Sequence, residues 1–594
     1  MNILGIYGAL GWNPHDPEQV KNNPGEHAHA WVHDSGASLF KNGEHIVSIQ
    51  NERLTRKKYD GQFPDASMKY CLQVGELKDE QIDKLCVAIP SSFHFYDAYY
   101  NRHVTAVLQE RFPNAEIKFY GHHHCHAAAA VYTSDQESGS FVTSDGSGQQ
   151  YLAEATPSDE GMLTGEGGVE RSTIGYFDKT KNTFQLFHDL KYTNSFGGHW
   201  ATVSELIYAE KMGMPEIITR REDNSFLGLG DRAFFDAMHG KVMGLCAYGQ
   251  DEASDDFSDI KYFQTSDELV FETRPYVCLH NLAQLEVYTN EDLSPEYKAY
   301  VLQRNHEEGM RWLLNKYRDT GYTTDNICLS GGSFLNVKAN TLVHKQNKYK
   351  NIHISPACTD VGLHLGAACI GVTENNMRVR MPDNICLLGR EYSDIELDNF
   401  VTHLNDQKNI AITKLDTNLN EYVASQLVDN KIVAWFQGRS EFGPRALGSR
   451  SILMHPGPAE NKDTLNHRVK HREEWRPFAG IILEEHLTEY FEENIVSPYM
   501  MYALTVKKDM APRIRAITHY DYSCRIQTVN NKYNRKMTAL INEFYKQTNI
   551  PVLLNTSFND NGEPIVETPA DALAAFLKMD IDLLVLGNYV IEKI

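Results

Sequence analysis

Four histidines stand within five positions of GHHHCHAAAAVYTS, residues 121–134. His122 and His126 are four apart. On a helix that spacing sets both imidazoles on one face, with Cβ atoms about 5–6 Å apart, near enough to chelate one ion. His123 and His124 point elsewhere. The alanines that follow favour a helix. The string also reads as a helix start with histidines in water, and it lacks the glutamate of HExxH, so a zinc protease is not indicated. A metal needs a third hard ligand. Asp360 in PACTDVGLHLGAA fits, between a strand-like run and an Ala-rich helix, although an aspartate there can also cap the helix. Two histidines and a carboxylate with open positions suit Fe(II), Mn(II) or Zn(II).

The charge of the chain limits its partners. Its net charge is −22, so it is a poor general binder of nucleic acid, whose phosphates require a basic face. One segment runs against this trend. Between Arg439 and Arg476 eight Lys or Arg stand against five Asp or Glu. Most are arginines, whose planar forks suit phosphates. A small anionic ligand fits such a segment better than a polymer does. The ten cysteines are scattered with no CxxC pair, which predicts a reducing cytoplasm. No stretch approaches the length of a membrane span, and MNILGIYGAL reads as a core strand rather than a leader.

The elements that must position these residues follow from pattern. A chain of 594 residues predicts about two to four domains. NILGIYGA, LCVAIP, EIKFYG and SFVTSDGSGQ read as strands. ASLFKNGEHIVSIQ reads as a hairpin about Asn42-Gly43, a pair suited to a type I′ turn. NICLSGGSFLNVKANTLV and NIHISPACTDVGLHLGAACIG each read as strand, polar turn and helix. This predicts an α/β architecture with ligands at strand ends. Residues 14–30 read as an inserted loop. A boundary is expected across 371–395, separating domains at 1–375 and 395–594. Beyond it KIVAWFQ and NIPVLLNTSF read as strands, and TPADALAAFLKM as a helix capped by Thr568 with Pro569 at its first position.

Three polar turns sit at strand ends: HDSGAS at 33–38, DGSG at 145–148 and SGG at 330–332. Glycines there let backbone N–H groups approach a phosphate. The arrangement resembles the actin-like (ASKHA) architecture of two RNase H-like halves. With HHHCHAAAA, KVMGLCAYG, LSGGSFLNVKAN and CTDVGLHLGAA the resemblance narrows to the nodulation and antibiotic O-carbamoyltransferases. WFQGRSEFGPRALGSRSIL, NHRVKHREEWRPFAG, RIQTV and NTSFNDNGEPIVETPADAL extend it, in order, over nearly the whole chain.

The resemblance implies an actin-like N-terminal domain, similar to the tRNA threonylcarbamoyl transferase, followed by a YrdC-like α/β domain. The second would convert carbamoyl phosphate and Mg-ATP to carbamoyl adenylate. The first, holding iron or a similar ion, would move the carbamoyl group to a hydroxyl of a small molecule. The family's metal ligands fall on His122, His126 and Asp360. Arg439, Arg445, Arg450, Lys470, Arg472 and Arg525 would neutralise the anionic substrates, with Ser557 and Asn559 binding phosphate or nucleotide. Some of these arginines can instead pair with Glu441, Glu473 or Glu474. Asp145, Gly146, Gly148, Gly331, Gly332 and Asn336 would cradle the adenylate, and Lys241 would contact the ligand or a carboxylate. An acceptor hydroxyl needs a base. His33 with Asp34 is the candidate, as base or as polariser of the carbamoyl group. His239 stands where relatives often carry an acid.

Other readings of the same chain are a tRNA-modifying enzyme, which its acidity disfavours, a silent metal- or nucleotide-binding regulator, and an actin-like kinase. The expected partner is a small hydroxyl acceptor, cationic if the acidic surface and the 31 tyrosines serve it. Neither nucleic acid nor membrane is expected, and a homodimer is the default.

Overall fold

A computed structural model describes residues 1–9, 32–90, 98–146, 150–151, 168–169, 172–188, 196–214, 240–252, 286–318, 324–346, 349–404 and 408–594. The 14–30 insertion, Gly148 and His239 lie outside these. The chain divides into two units. One comprises Met1–Glu52 with Tyr59–Met381, the other Arg53–Lys58 with Pro382–Ile594. The boundary thus falls at the Met381–Pro382 junction, and a short basic segment from the N-terminal half belongs with the second unit.

In the first unit, β1 (Asn2–Tyr7), β2 (Gly36–Lys41), β3 (Glu44–Gln50), β4 (Lys84–Ala88) and β5 (Glu116–Tyr120) form one sheet in the order β3-β2-β1-β4-β5. β1 runs antiparallel to β2 and parallel to β4. The β2–β3 hairpin turns at Asn42 and Gly43, both with positive φ, the geometry of the anticipated type I′ turn. A second sheet repeats this plan. It contains β6 (Ser138–Ser144), β7 (Ser172–Asp178), β8 (Thr183–His188), β9 (Asn326–Ser330) and β10 (Asn351–Ile354), in the order β8-β7-β6-β9-β10. β6 is antiparallel to β7 and parallel to β9. Two sheets, each a three-stranded meander extended by two parallel strands, are the duplicated halves of an actin-like domain.

Helix α1 (His122–Thr133) follows β5, and α2 (Val337–Lys345) and α3 (Leu363–Glu374) follow β9 and β10. α3 lies tight between β1 and α1. A Cβ on Gly5 would meet the His364 carbonyl at 2.1 Å, and one on Gly366 would meet the Cys125 carbonyl at 1.9 Å. The two glycines therefore admit α3 to this depth. The turn that opens α3, carrying Asp360, is thereby held beside the first turn of α1.

The second unit is built on a nine-stranded mixed sheet. It contains β11 (Ile410–Lys414), β12 (Val433–Phe436), β13 (Arg450–Met454), β14 (Ala479–Leu483), β15 (Tyr502–Thr505), β16 (Ser523–Val529), β17 (Val552–Ser557), β18 (Leu583–Leu586) and β19 (Tyr589–Lys593). Its order is β11-β19-β18-β12-β13-β17-β14-β16-β15. Helix α4 (Pro569–Lys578) starts where the sequence predicts. Thr568 Oγ1 accepts from Asp571 N at 3.0 Å, and the Asp571 carboxylate reaches back to Thr568 N at 2.9 Å. This is a capping box. No described helix is long and apolar enough to cross a membrane.

Candidate functional site

The histidine string begins a helix, but not a solvated one. His122, His123 and His126 are all fully buried. His123 Nδ1 lies 2.8 Å from Thr173 Oγ1, and His124 stacks on Phe184. His122 and His126 share the face turned to the strand ends. Their Nε2 atoms lie 3.2 and 3.3 Å from Asp145 Oδ2, and 3.4 and 3.5 Å from Asp360 Oδ1. One ligand atom from each of these four residues fits within a span of 4.8 Å.

The local environment suits a cation. Among the described residues both nitrogens of His126 are buried without a hydrogen-bond partner of good geometry, an expensive condition unless something else satisfies them. His122 Nδ1 donates to the Ile89 carbonyl at 3.2 Å, which turns Nε2 toward the two carboxylates and fixes the tautomer a metal requires. Gly332 N donates to Asp145 Oδ1 at 3.0 Å, leaving Oδ2 for the cluster. Burial works against a charged His122, yet the facing Asp360 and Asp145 outweigh it and lift its pKa to about 10. Burial also penalises the Asp145 and Asp360 anions, but the imidazoles override it and hold both below the carboxylate range. In the ion-free protein the two carboxylates therefore keep His122 protonated, a charge that a divalent cation would replace.

Asp145, grouped by sequence with the adenylate cradle, stands in the structure with the two histidines and Asp360, a placement not anticipated from sequence. A signal for it is present: it directly follows the buried strand β6 and precedes a glycine turn. Gly331 has φ +98°, and a Cβ there would meet the Ser144 carbonyl at 2.1 Å. It lets the turns after β6 and β9 touch. Among the described residues nothing lies within 4 Å of a Cβ placed on Gly146. Asn336 is committed to the fold. Its Oδ1 caps α2 through Ala339 N, and its side chain exchanges hydrogen bonds with Gln303. Lys241 Nζ donates to Tyr208 Oη at 3.1 Å.

His33 reaches the same cluster. Its Nδ1 lies 3.0 Å from Asp34 Oδ2, and its Nε2 3.8 Å from Asp360 Oδ2. Asp34 adopts φ 62°, a left-handed conformation that aspartate tolerates better than most residues. The imidazole is half-buried, with one nitrogen held and the other facing the carboxylate cluster.

The basic segment sorts into two groups in the second unit. Arg439 Nε donates to the Gly389 carbonyl at 2.7 Å. Arg450 is fully buried, donates to the carbonyls of Gln437 and Gly438, and stacks 3.6 Å over Phe436. These contacts tie both arginines to the backbone of the second unit. Among the described residues Glu441 forms no ion pair with an arginine. Its Oε1 gathers the N–H groups of Leu447, Ser449 and Arg450 and so shapes the loop carrying Arg445.

Arg445, Lys470, Arg472 and Arg525 form the other group, joined by Arg476 and by Lys58 from the Arg53–Lys58 segment. Burial comes first in holding Arg525 and Lys470 well below their usual ranges. Repulsion from Arg445, Arg472 and Arg476 adds to it at Arg525, and from Arg472, Lys58 and Arg476 at Lys470. Among the described residues the Nε of Arg525 is buried without a hydrogen-bond partner. Lys470 Nζ clamps the turn after β17, donating to the Ser557 and Asn559 carbonyls at 2.7 and 2.8 Å. Arg472 stacks on Phe478 at 4.2 Å. Buried cations that repel one another form a site for a polyanion.

Models of one protein family match both units. The carbamoyltransferase N-terminus model matches residues 27–110 and 97–369, and the carbamoyltransferase C-terminus model matches 424–593. The chain is 30% identical to nodulation protein NolNO of Sinorhizobium fredii, over 100% of this chain and 83% of that protein. It is 30% identical to the 3′-hydroxymethylcephem-O-carbamoyltransferase of Amycolatopsis lactamdurans, over 59% of this chain and 64% of that one. Among solved structures, component A of the (R)-2-hydroxyglutaryl-CoA dehydratase of Acidaminococcus fermentans matches 63% of this chain and 99% of its own at 11% identity. Its TM-score is 0.34. The two family models together span most of the sequence in the expected order, and the chain belongs to the carbamoyltransferase family as an enzyme of carbamoyl transfer.

Proposed function

We propose that the chain is an ATP-dependent O-carbamoyltransferase acting in two steps on a small-molecule hydroxyl. In the second unit, water splits carbamoyl phosphate to carbamate and phosphate. A carbamate oxygen then attacks the α-phosphorus of Mg-ATP, forming carbamoyl adenylate and expelling pyrophosphate. Arg445, Lys470, Arg472 and Arg525 offset the accumulating negative charge, and Ser557 and Asn559, tied to Lys470, border the phosphate groups. The cation cluster supports this step because its charges are buried before any anion arrives, so little reorganisation is left to the reaction.

In the first unit, the acceptor oxygen attacks the carbamoyl carbon of the adenylate, and AMP leaves with the electron pair of the broken C–O bond. His33 takes the hydroxyl proton at Nε2, while Asp34 holds Nδ1 and stabilises the imidazolium, the division of labour familiar from Ser-His-Asp sites. Gly146, Gly331 and Gly332 offer backbone to the adenylate. His122, His126, Asp145 and Asp360 would hold a divalent cation, iron by the family resemblance, which when bound supplies positive charge for the carbamoyl oxygen or the adenylate. The acceptor is a small molecule, cationic if the acidity of the chain serves it.

The observation that carries this reading is the meeting of a carboxylate-oriented histidine with a two-histidine, two-carboxylate cluster at the strand ends. Purified protein incubated with carbamoyl phosphate and Mg-ATP should release pyrophosphate only when both are present, and mass spectrometry should detect carbamoyl adenylate. Pyrophosphate release that ignores carbamoyl phosphate would refute the first step.

A further inference from the structure

Tyr7 ends β1 and is fully buried. Its hydroxyl donates to Asp360 Oδ2 at 2.5 Å. The direction is unambiguous, because an ionised carboxylate only accepts. The other oxygen, Oδ1, is the one that lies 3.4 and 3.5 Å from the His122 and His126 Nε2 atoms. The two oxygens of one carboxylate thus face different partners. We propose that Tyr7 is a positioning residue for the candidate metal centre, its hydroxyl holding Asp360 as a one-oxygen ligand and keeping Oδ2 from both the ion and His33. This rests on the metal reading above and goes beyond it in naming what sets the mode of ligation.

Three features make the phenol a fixed restraint. β1 is the central strand of its sheet, paired on both sides through Ile6. Gly5 locks the same strand against α3, the helix that Asp360 precedes. The Tyr7 ring also stands edge-on to His122, with centroids 6.4 Å apart. A hydrogen bond to a charged acceptor in such a buried site is strong, and a bidentate carboxylate would have to break it. His33 Nε2 lies 3.8 Å from Oδ2, beyond hydrogen-bond reach, so it does not compete with the phenol for that oxygen.

The test is titration of metal-free full-length protein with Co2+, following affinity and visible absorption, for wild type and Tyr7→Phe. The substitution keeps the ring and removes the hydroxyl. Loss of an outer-shell partner costs metal affinity about 10–100-fold. The variant should bind Co2+ that much more weakly, and its visible band should weaken as the released oxygen joins the coordination shell. A purely structural role would lower thermal stability and leave the band unchanged, which would overturn the proposal. Equal affinity and spectrum in both proteins would overturn it too, with the metal reading intact. A wild type that binds no Co2+ would defeat the metal reading itself. Should Tyr7→Phe not fold, Tyr7→Met removes the hydroxyl with a flexible apolar side chain and is read in the same titration.

Discussion

The His/Asp centre of the first unit and the Arg/Lys cluster of the second carry opposite electrostatic deficits. In the first, two buried carboxylates face two buried imidazoles, and His122 must hold a proton well above its usual range to balance them. In the second, buried guanidinium and ammonium groups depress one another, with Glu473 and Asp560 among the few carboxylates acting on them. One region calls for a cation and the other for an anion. Such uncompensated charge costs stability, and it marks where a ligand completes each unit better than any motif match could.

Variants that separate the two regions test this contrast. His33→Ala should have the largest effect. Removing a general base slows transfer by about 10²–10⁴-fold, while carbamoyl-phosphate-dependent pyrophosphate release continues. Equal loss of both would place His33 in a shared step. Arg445→Ala should do the reverse, lowering pyrophosphate release by about 10²–10³-fold, as for loss of one donor to developing charge, with Co2+ affinity unchanged. pH sharpens the contrast further. With His122 lifted to about 10, the ion-free centre carries a proton at neutral pH that metal must displace. Metal affinity should therefore rise about tenfold per pH unit and level off near that value. A flat profile from pH 6 to 9, measured by competition titration, would show that no proton is displaced. The smallest effect belongs to Thr568→Ala, which removes the α4 cap. It should destabilise the second unit by about 1 kcal/mol in chemical denaturation and leave Co2+ binding alone.

Legibility in the sequence followed the range of the interaction. The β2–β3 hairpin, the α4 capping box and the helix bearing His122 and His126 depend on residues a few positions apart, so pattern sufficed. The nearness of His122 and His126 to Asp360 was anticipated from the need for a third hard ligand and from the family resemblance, although local pattern alone also allowed Asp360 to cap the helix. Arg439 and Arg450 were not separable from Arg445 and Arg525 by type. What distinguishes them is backbone carbonyls at Gly389, Gln437 and Gly438 that converge on the first pair.

By itself the sequence determined the family, the order of the two units, the i,i+4 histidine pair and the basic segment, since each is written in local spacing or in strings long enough to be distinctive. Only the tertiary structure decided that Asp145 joins the metal candidates, that Tyr7 holds Asp360, and that Lys58 acts on Lys470. These pairs are separated by tens to hundreds of residues, and the first two meet where glycines at 5, 331 and 366 let strands, turns and α3 approach to contact distance. Side-chain chemistry sets what a residue can do, while close packing sets which partner it does it with.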